Sequence, residues 1–249
     1  MQITSLHNPL LQRIRKAVRD GRATEDGLVV AEGPHLLEEA RTGAWRIAFV
    51  VTTPAGRSRH AELLARLDAE LLEIAPRAFE SITGMEHSQQ ILALLEPRKW
   101  NWLDLTSRHT LIVALDGIQD PGNVGTIIRS AEAFGATGVV FLKGSAHVSN
   151  GKVLRASAGS AFRMPFLESV APEDFLEQVR AAQLTLYSLA ARAETPIIAA
   201  DLTGPLALIA GNEGAGVGSV RCVVAASIKE AINPNILTCY ITAVQPPGN

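Results

Sequence analysis

The chain has 249 residues, which is enough for two compact domains that each bury a core. Its formal net charge of -2 gives no overall attraction to nucleic acid, so a polyanionic partner would need a local basic surface. Two cysteines, Cys222 and Cys239, exclude a disulfide framework and lack the spacing of a zinc site, so we expect no metal. Without a signal-peptide core or an apolar run of about 18 residues, the expectation is a soluble, cytoplasmic protein with no membrane partner.

The opening segment predicts a basic amphipathic helix. Asn8 followed by Pro9 is a typical helix start, and the helix should run to about Asp20. Its apolar residues share one face. The rest of its surface carries four candidate contacts to an RNA backbone, which are Arg13, Arg15, Lys16 and Arg19. An ordinary solvated helix face is the alternative interpretation.

Residues 1–97 predict a small α/β domain, because short β-like runs alternate with helical patterns. Strands are expected at 28–31, 47–52, 71–74 and 91–95, and helices around 35–41 and 61–69. Residues 98–108 interrupt the pattern and are the predicted linker. Trp100 and Trp102 within it are expected to pack against a neighbouring domain, with stacking on bases as the alternative.

Residues 109–249 predict a second α/β domain with a mostly parallel sheet. Strands are expected at 110–115, 138–142, 184–189 and 206–210, and helices from 123 and near 152–159. The first of these strands ends in a turn over residues 116–122, and the following helix carries Asn123 and Arg129. Since open α/β sheets bind ligands at such strand-to-helix junctions, this one is a candidate site.

A second junction follows strand 206–210, where residues 211–218 place four glycines around Glu213. The segment lacks a complete dinucleotide-binding fingerprint and the Gly-Lys-Ser/Thr of a phosphate-binding loop, which argues against a nucleotide-dependent oxidoreductase. A tight structural turn is one interpretation of the glycines. The carboxylate among them favours a functional site instead.

Residues 123–129 and 211–216 resemble motifs 1 and 2 of the SpoU (TrmH-type) RNA methyltransferases of the SPOUT superfamily. Residues 31–40 resemble the amino-terminal substrate-binding domain of that family, and residues 154–162 are similar to the segment between its motifs. The resemblance implies a ribosomal-protein-like α/β domain that binds RNA, followed by a knotted α/β methyltransferase domain. It also implies a homodimer that uses S-adenosylmethionine to methylate a ribose 2'-hydroxyl in structured rRNA or tRNA, of which rRNA is favoured.

The resemblance assigns roles to particular residues. Arg129 would polarise the 2'-hydroxyl or bind the adjacent phosphate, because its guanidinium is charged at any physiological pH. Asn123 and Glu213 would orient Arg129 and the nucleophile, and Arg155 would contact a second phosphate. Asn233 completes the candidate catalytic set. The residues expected against the cofactor are Leu142, Gly144, Gly211, Val223 and Ile232.

The segment 223–233 departs from the third motif of the family. Val224 stands in place of a proline, Ala231 in place of a serine, and the connection from Glu213 to Asn233 is short. The sequence therefore does not decide whether residues 218–249 close the knot. The second hypothesis is an RNA-binding dimer that has lost cofactor binding. Asn233-Pro234 predicts the start of a terminal helix, with apolar residues on one face to residue 244.

Overall fold

A computed structural model describes residues 2–3, 8–107, 109–189, 199–212 and 241–243. Packing divides the chain into two units. The amino-terminal unit comprises Met1–Lys99 together with His147–Arg163, and the carboxy-terminal unit comprises Trp100–Ala146 together with Met164–Asn249.

The amino-terminal unit is built on a five-stranded mixed sheet in the order β1-β4-β3-β5-β2. The strands are β1 (Gln2–Ile3), β2 (Val29–Glu32), β3 (Arg46–Thr52), β4 (Glu70–Ile74) and β5 (Ile91–Glu96). β5 runs antiparallel to both of its neighbours, whereas β1, β4 and β3 are parallel to one another. The helices are α1 (Pro9–Asp20), α2 (Pro34–Thr42), α3 (Pro54–Arg59), α4 (Ala61–Leu64) and α5 (Pro76–Glu80).

The first helix begins and ends where the sequence predicts. The Asn8 side chain accepts a hydrogen bond from the Leu10 N–H at 2.9 Å, and Pro9 occupies the first turn. Gly21 ends the helix in the left-handed conformation, with φ 61°. Leu11 and Ile14 are fully buried in the core between helix and sheet, so the predicted apolar face is confirmed.

Residues 147–163 pack within the amino-terminal unit, although they lie between strands of the other unit in sequence. They form helix α8 (Gly151–Ser157) and a 3₁₀ turn (Ser160–Phe162). The Phe162 ring meets Trp45 edge-on, with ring centroids 5.1 Å apart, and Arg163 pairs with Glu39 at 2.6 Å. Since Arg155 lies on α8, it belongs to the amino-terminal unit.

The carboxy-terminal unit is built on a six-stranded sheet in the order β11-β9-β10-β6-β7-β8. The strands are β6 (Leu111–Asp116), β7 (Gly138–Leu142), β8 (Phe166–Val170), β9 (Thr185–Leu189), β10 (Leu206–Gly211) and β11 (Ile241–Ala243). The helices are α6 (Trp102–Leu105), α7 (Pro121–Ala133) and α9 (Pro172–Ala181). Strands β6 to β10 are all parallel, which confirms the predicted sheet.

The two tryptophans of the predicted linker pack against an apolar core, as expected. Trp100 and Trp102 contact the core of the carboxy-terminal unit, and the Trp102 ring lies edge-on to Phe175, 6.1 Å between centroids. The segment between residues 98 and 108 nevertheless contains a helical turn, α6, which the sequence interpretation missed. Its signal is a capping box in which Asn101 and Asp104 bind each other's main chain.

Two predicted helices differ from the structure. The helix expected at 61–69 stops at Leu64, and a separate short helix, α3, precedes it. The terminal helix expected beyond Asn233 is wrong at Ile241–Ala243, where β11 pairs antiparallel with the open edge of β9. Successive residues such as Ile241 and Thr242 are β-branched, which favours a strand when an unpaired strand edge is present. The rest of the expected knot segment, residues 218–240 and 244–249, lies outside the described residues.

Candidate functional site

Three parallel strands of the carboxy-terminal unit end together at one edge of the sheet. Gly211, at the end of β10, is opposite Asp116, at the end of β6. On the other side of β6, Leu115 is opposite Phe141, one residue before the end of β7. The chain adds β7 and β8 on one side of β6 and then crosses to add β9 and β10 on the other. This edge is therefore the topological switch point, where open α/β sheets bind ligands.

Ser145 fixes the loop that leaves β6 at this edge. Its Oγ accepts a hydrogen bond from the Gly117 N–H at 3.0 Å and donates one to the Leu115 carbonyl at 2.9 Å. The Asn212 side-chain amide donates to the Gly117 carbonyl at 3.3 Å. Gly117 has φ 68°, a left-handed conformation that glycine adopts without strain. Ser145 and Asn212 had no predicted role, because their partners are distant in sequence.

Replacing Ser145 with alanine is expected to destabilise the protein by about 1–2 kcal/mol, because the N–H of half-buried Gly117 and the carbonyl of buried Leu115 both lose a partner. Denaturant unfolding followed by circular dichroism measures the change. Ser130→Ala, at an exposed position of α7, is the matched control and should change stability by less than about 0.5 kcal/mol. Equal stability of the two variants would contradict a structural role for the Ser145 hydroxyl.

Helix α7 begins directly after this loop. The Asp120 side chain caps it by accepting a hydrogen bond from the Asn123 N–H at 2.8 Å, and Pro121 occupies the first turn. The helix buries one face against the sheet, through Val124, Gly125, Ile128 and Ala131. Arg129 lies on the exposed side, and within the described part of the chain it makes no hydrogen bond or ion pair. Its guanidinium is thus available to a ligand.

The helix does not bring Asn123 and Arg129 together within one chain. Both side chains are exposed. They are six residues apart, which corresponds to about 9 Å of rise and to different faces of the helix. The interpretation in which Asn123 orients Arg129 directly therefore finds no support from α7 itself.

The residues predicted to bind a cofactor lie along the same edge where they are described. The Leu142 side chain is buried in the core, so only its main chain can face a ligand. Gly144 is exposed, with φ 97°, and Gly211 ends β10, on the other side of β6. Four other predicted site residues lie outside the described residues, namely Glu213, Val223, Ile232 and Asn233.

The basic residues predicted on α1 already have partners within the amino-terminal unit. Three form ion pairs of 2.8 Å, which are Arg13 with Asp26, Lys16 with Glu25 and Arg19 with Asp20. Arg15 donates to the Ser81 carbonyl at 2.9 Å and to its hydroxyl at 2.8 Å. The hydrogen bond to Glu25 raises the pKa of Lys16. A phosphate would compete with these contacts, and the three paired carboxylates offset part of the positive charge of α1.

The described residues contain neither a candidate membrane span nor a candidate metal cluster. In the portions of the chain that the structure describes, no helix is long and apolar enough to span a membrane. Across the same residues, no group of three or more His, Cys, Asp or Glu side chains has the arrangement of a metal site.

Comparison with known proteins matches both units. Residues 110–226 match the SpoU rRNA Methylase family, and residues 8–93 match the MRM3-like substrate binding domain. The 23S rRNA (guanosine(2553)-2'-O)-methyltransferase RlmP of Bacillus subtilis (strain 168) is 32% identical over 216 residues, which cover 87% of this chain and 84% of the relative.

Solved structures have the same fold. The AdoMet-bound rRNA methyltransferase from Sinorhizobium meliloti is 27% identical, with a TM-score of 0.73 over 95% of this chain and 92% of that one. The SpoU methyltransferase AviRb from Streptomyces viridochromogenes, in complex with AdoMet, is 23% identical, with a TM-score of 0.78 over 93% of this chain and 92% of that one. The chain belongs to the SpoU rRNA methylase family.

Proposed function

We propose that the protein transfers the methyl group of S-adenosylmethionine to a ribose 2'-hydroxyl in 23S rRNA. The observation that carries this proposal is the position of the family's Asn123-to-Arg129 segment, at the start of a helix beside three aligned strand ends. RlmP, a 2'-O-methyltransferase of 23S rRNA, and the AdoMet-bound relative from Sinorhizobium meliloti support it.

The glycines at the sheet edge fit a bound cofactor. Among the described residues, a Cβ at Gly117 would meet nothing within 4 Å, and one at Gly144 would meet only the Gly117 Cα, at 4.0 Å. Side chains there would fill this space, so glycine keeps the main chain accessible. Gly144 and Gly211, with the main chain of Leu142, are the proposed contacts to S-adenosylmethionine. The proposal for Val223 and Ile232 rests on the family resemblance.

When bound, S-adenosylmethionine supplies a methyl group on a sulfonium. Transfer of that methyl group needs a positioned oxygen nucleophile. Arg129 is the proposed group that positions it, because a permanently charged, exposed guanidinium can hold the ribose hydroxyl or the adjacent phosphate by two hydrogen bonds. Such positioning can contribute much of the rate enhancement of a transfer reaction. Asn123, Glu213 and Asn233 complete the proposed catalytic set, and Asn123 acts there on substrate rather than on Arg129.

Calorimetric titration with S-adenosylmethionine tests the proposal, because the altered segment 223–233 is expected to contribute to the pocket. Micromolar binding, about -8 kcal/mol, supports the enzyme. Transfer of labelled methyl to an unmodified 23S rRNA transcript, followed by mapping of the modified ribose, then establishes the activity. A folded protein that binds the transcript but not the cofactor would instead support the second hypothesis, an RNA-binding dimer without cofactor.

We also propose that the protein is a homodimer and that it acts in the cytoplasm, where ribosomal RNA is the substrate. The homodimer follows from the family resemblance. Light scattering coupled to size-exclusion chromatography measures the mass in solution, and the single chain has a mass of 26.5 kDa. A mass equal to one chain at micromolar concentration would contradict the dimer.

A further inference from the structure

The end of α1 contacts the start of α8 inside the amino-terminal unit. A Cβ at Gly21 would lie 2.6 Å from Asn150 Nδ2, so the two segments approach as closely as the absence of a side chain allows. Asn150 is the capping residue of α8, because its side chain accepts a hydrogen bond from the Lys152 N–H at 2.9 Å. Arg22 follows Gly21 directly and is exposed. The contact therefore puts Arg22 close to the first turn of α8.

Two further cations lie on α8 itself. Lys152 and Arg155 are three residues apart, a spacing that puts side chains on the same face of a helix. The Arg155 side chain turns back toward the start of the helix, since its Nη1 lies 3.3 Å from where a Cβ of Gly151 would be. The Arg155 guanidinium thus lies over the first turn of α8, which Arg22 approaches and which carries the exposed Lys152.

The electrostatics of His147 agree with this grouping. His147 lies three residues before the capping residue Asn150, and its carbonyl accepts a hydrogen bond from the Asn150 N–H at 3.1 Å. Burial lowers the pKa of His147, and the positive charge of Arg22 lowers it further. The charge of Arg22 therefore reaches the segment that leads into α8.

These three cations differ from the basic residues of α1. Within the described residues, Arg22, Lys152 and Arg155 have no ion pair or hydrogen bond through their side chains, whereas Arg13, Lys16 and Arg19 each pair with a carboxylate. Asp20, the acid nearest to Arg22 along the chain, is already paired with Arg19. Three positive side chains that lie together without carboxylate partners form a surface suited to a polyanion.

We infer that Arg22, Lys152 and Arg155, here called the α8 cluster, contact the phosphate backbone of the RNA substrate. The inference rests on the proposed function and deepens it, because it joins Arg22 and Lys152 to Arg155, which the family resemblance already assigns to a phosphate, and places the backbone contact there rather than on α1. Lysine and arginine bind phosphate without reading sequence, so the α8 cluster determines affinity and salt dependence rather than the choice of nucleotide.

The test compares two triple variants of the full chain. R22A/K152A/R155A removes the α8 cluster, and R13A/K16A/R19A removes the same number of cations from α1. Filter binding to an unmodified 23S rRNA transcript is measured over a range of salt concentrations. Each phosphate contact contributes about 0.7–0.9 to the slope of log affinity against log salt, so loss of the α8 cluster should lower the slope by about 2–3. We expect affinity near 0.15 M salt to fall at least tenfold.

The α1 variant is expected to change affinity less than threefold, and R22K/R155K should keep the wild-type slope because lysine retains the charge. Circular dichroism verifies that each variant is folded. An unchanged slope in R22A/K152A/R155A, or an equal loss in the α1 variant, would overturn the inference, as would a wild-type protein that does not bind the transcript.

Two readouts separate this inference from the proposed function. The α8 variant should bind S-adenosylmethionine as the wild type does, because none of its changes lies at the sheet edge. If the wild type methylates the transcript while the α8 variant keeps the full slope, only the inference fails. If binding depends on the α8 cluster but the wild type neither binds cofactor nor transfers methyl, the proposed function fails and the inference stands.

Discussion

Arg129→Ala is expected to lower the rate of methyl transfer at least about 100-fold while S-adenosylmethionine affinity changes less than twofold. Arg129 is exposed on α7 and lacks a hydrogen bond or ion pair in the described part of the chain, so its loss removes no structural contact there. The proposed cofactor contacts are at strand ends, and none of them depends on the guanidinium. Single-turnover transfer to a 23S rRNA transcript, with calorimetry on the same preparation, measures both quantities.

Two controls make this prediction specific. Arg180→Ala removes another exposed arginine from a helix of the same unit, and its transfer rate should match the wild type. Arg129→Lys keeps the charge but cannot form the paired hydrogen bonds of a guanidinium, so we expect a partial loss of rate. Full activity of Arg129→Ala would exclude the proposed role.

Gly56→Ala should destabilise the amino-terminal unit by about 3 kcal/mol, although alanine is the better helix former by about 1 kcal/mol. Gly56 is buried on α3, and a Cβ there would overlap the Gln90 carbonyl oxygen and lie 2.6 Å from Thr52 Oγ1. The same carbonyl accepts a hydrogen bond from the Thr52 hydroxyl at 2.7 Å. The added methyl group would displace this buried contact, so overpacking outweighs helix propensity.

Urea unfolding followed by circular dichroism measures the effect of Gly56→Ala. Ser58→Ala, at an exposed position of the same short helix, is the control and should change stability by less than about 0.5 kcal/mol. A stability of Gly56→Ala equal to or above that of the wild type would show that the space around Gly56 is larger than the structure indicates.

Local signals in the sequence were sufficient to predict the bounds of several helices and strands. The bounds of α1 follow from Asn8, Pro9 and Gly21, because capping and proline preferences act between residues that are neighbours along the chain. The strand at Gly138–Leu142 was predicted with its observed bounds. The stop at Leu64 was not predicted; beyond it the Arg66 and Leu67 N–H groups donate to carbonyls three residues back, as in turns, instead of continuing the α-helix.

The candidate site was predictable only in part. The junction carrying Asn123 and Arg129 was identified from its turn residues and from its resemblance to a family motif. Ser145 was missed because its hydroxyl acts on Gly117, which is 28 residues away. Asn212 reaches the same Gly117 across 95 residues. No periodicity or cap connects residues at such separations.

The sequence by itself determined the class of fold, the strand-to-helix junction and the family motifs, because these depend on patterns within a few successive turns or strands. Only the tertiary structure decided which charges are available, since it pairs Arg13 and Lys16 with carboxylates but leaves Arg22 without one among the described residues. It also decided that α8 packs in the amino-terminal unit. The physical reason is that ion pairing and packing depend on which segments become neighbours in space, and separation along the chain does not specify this.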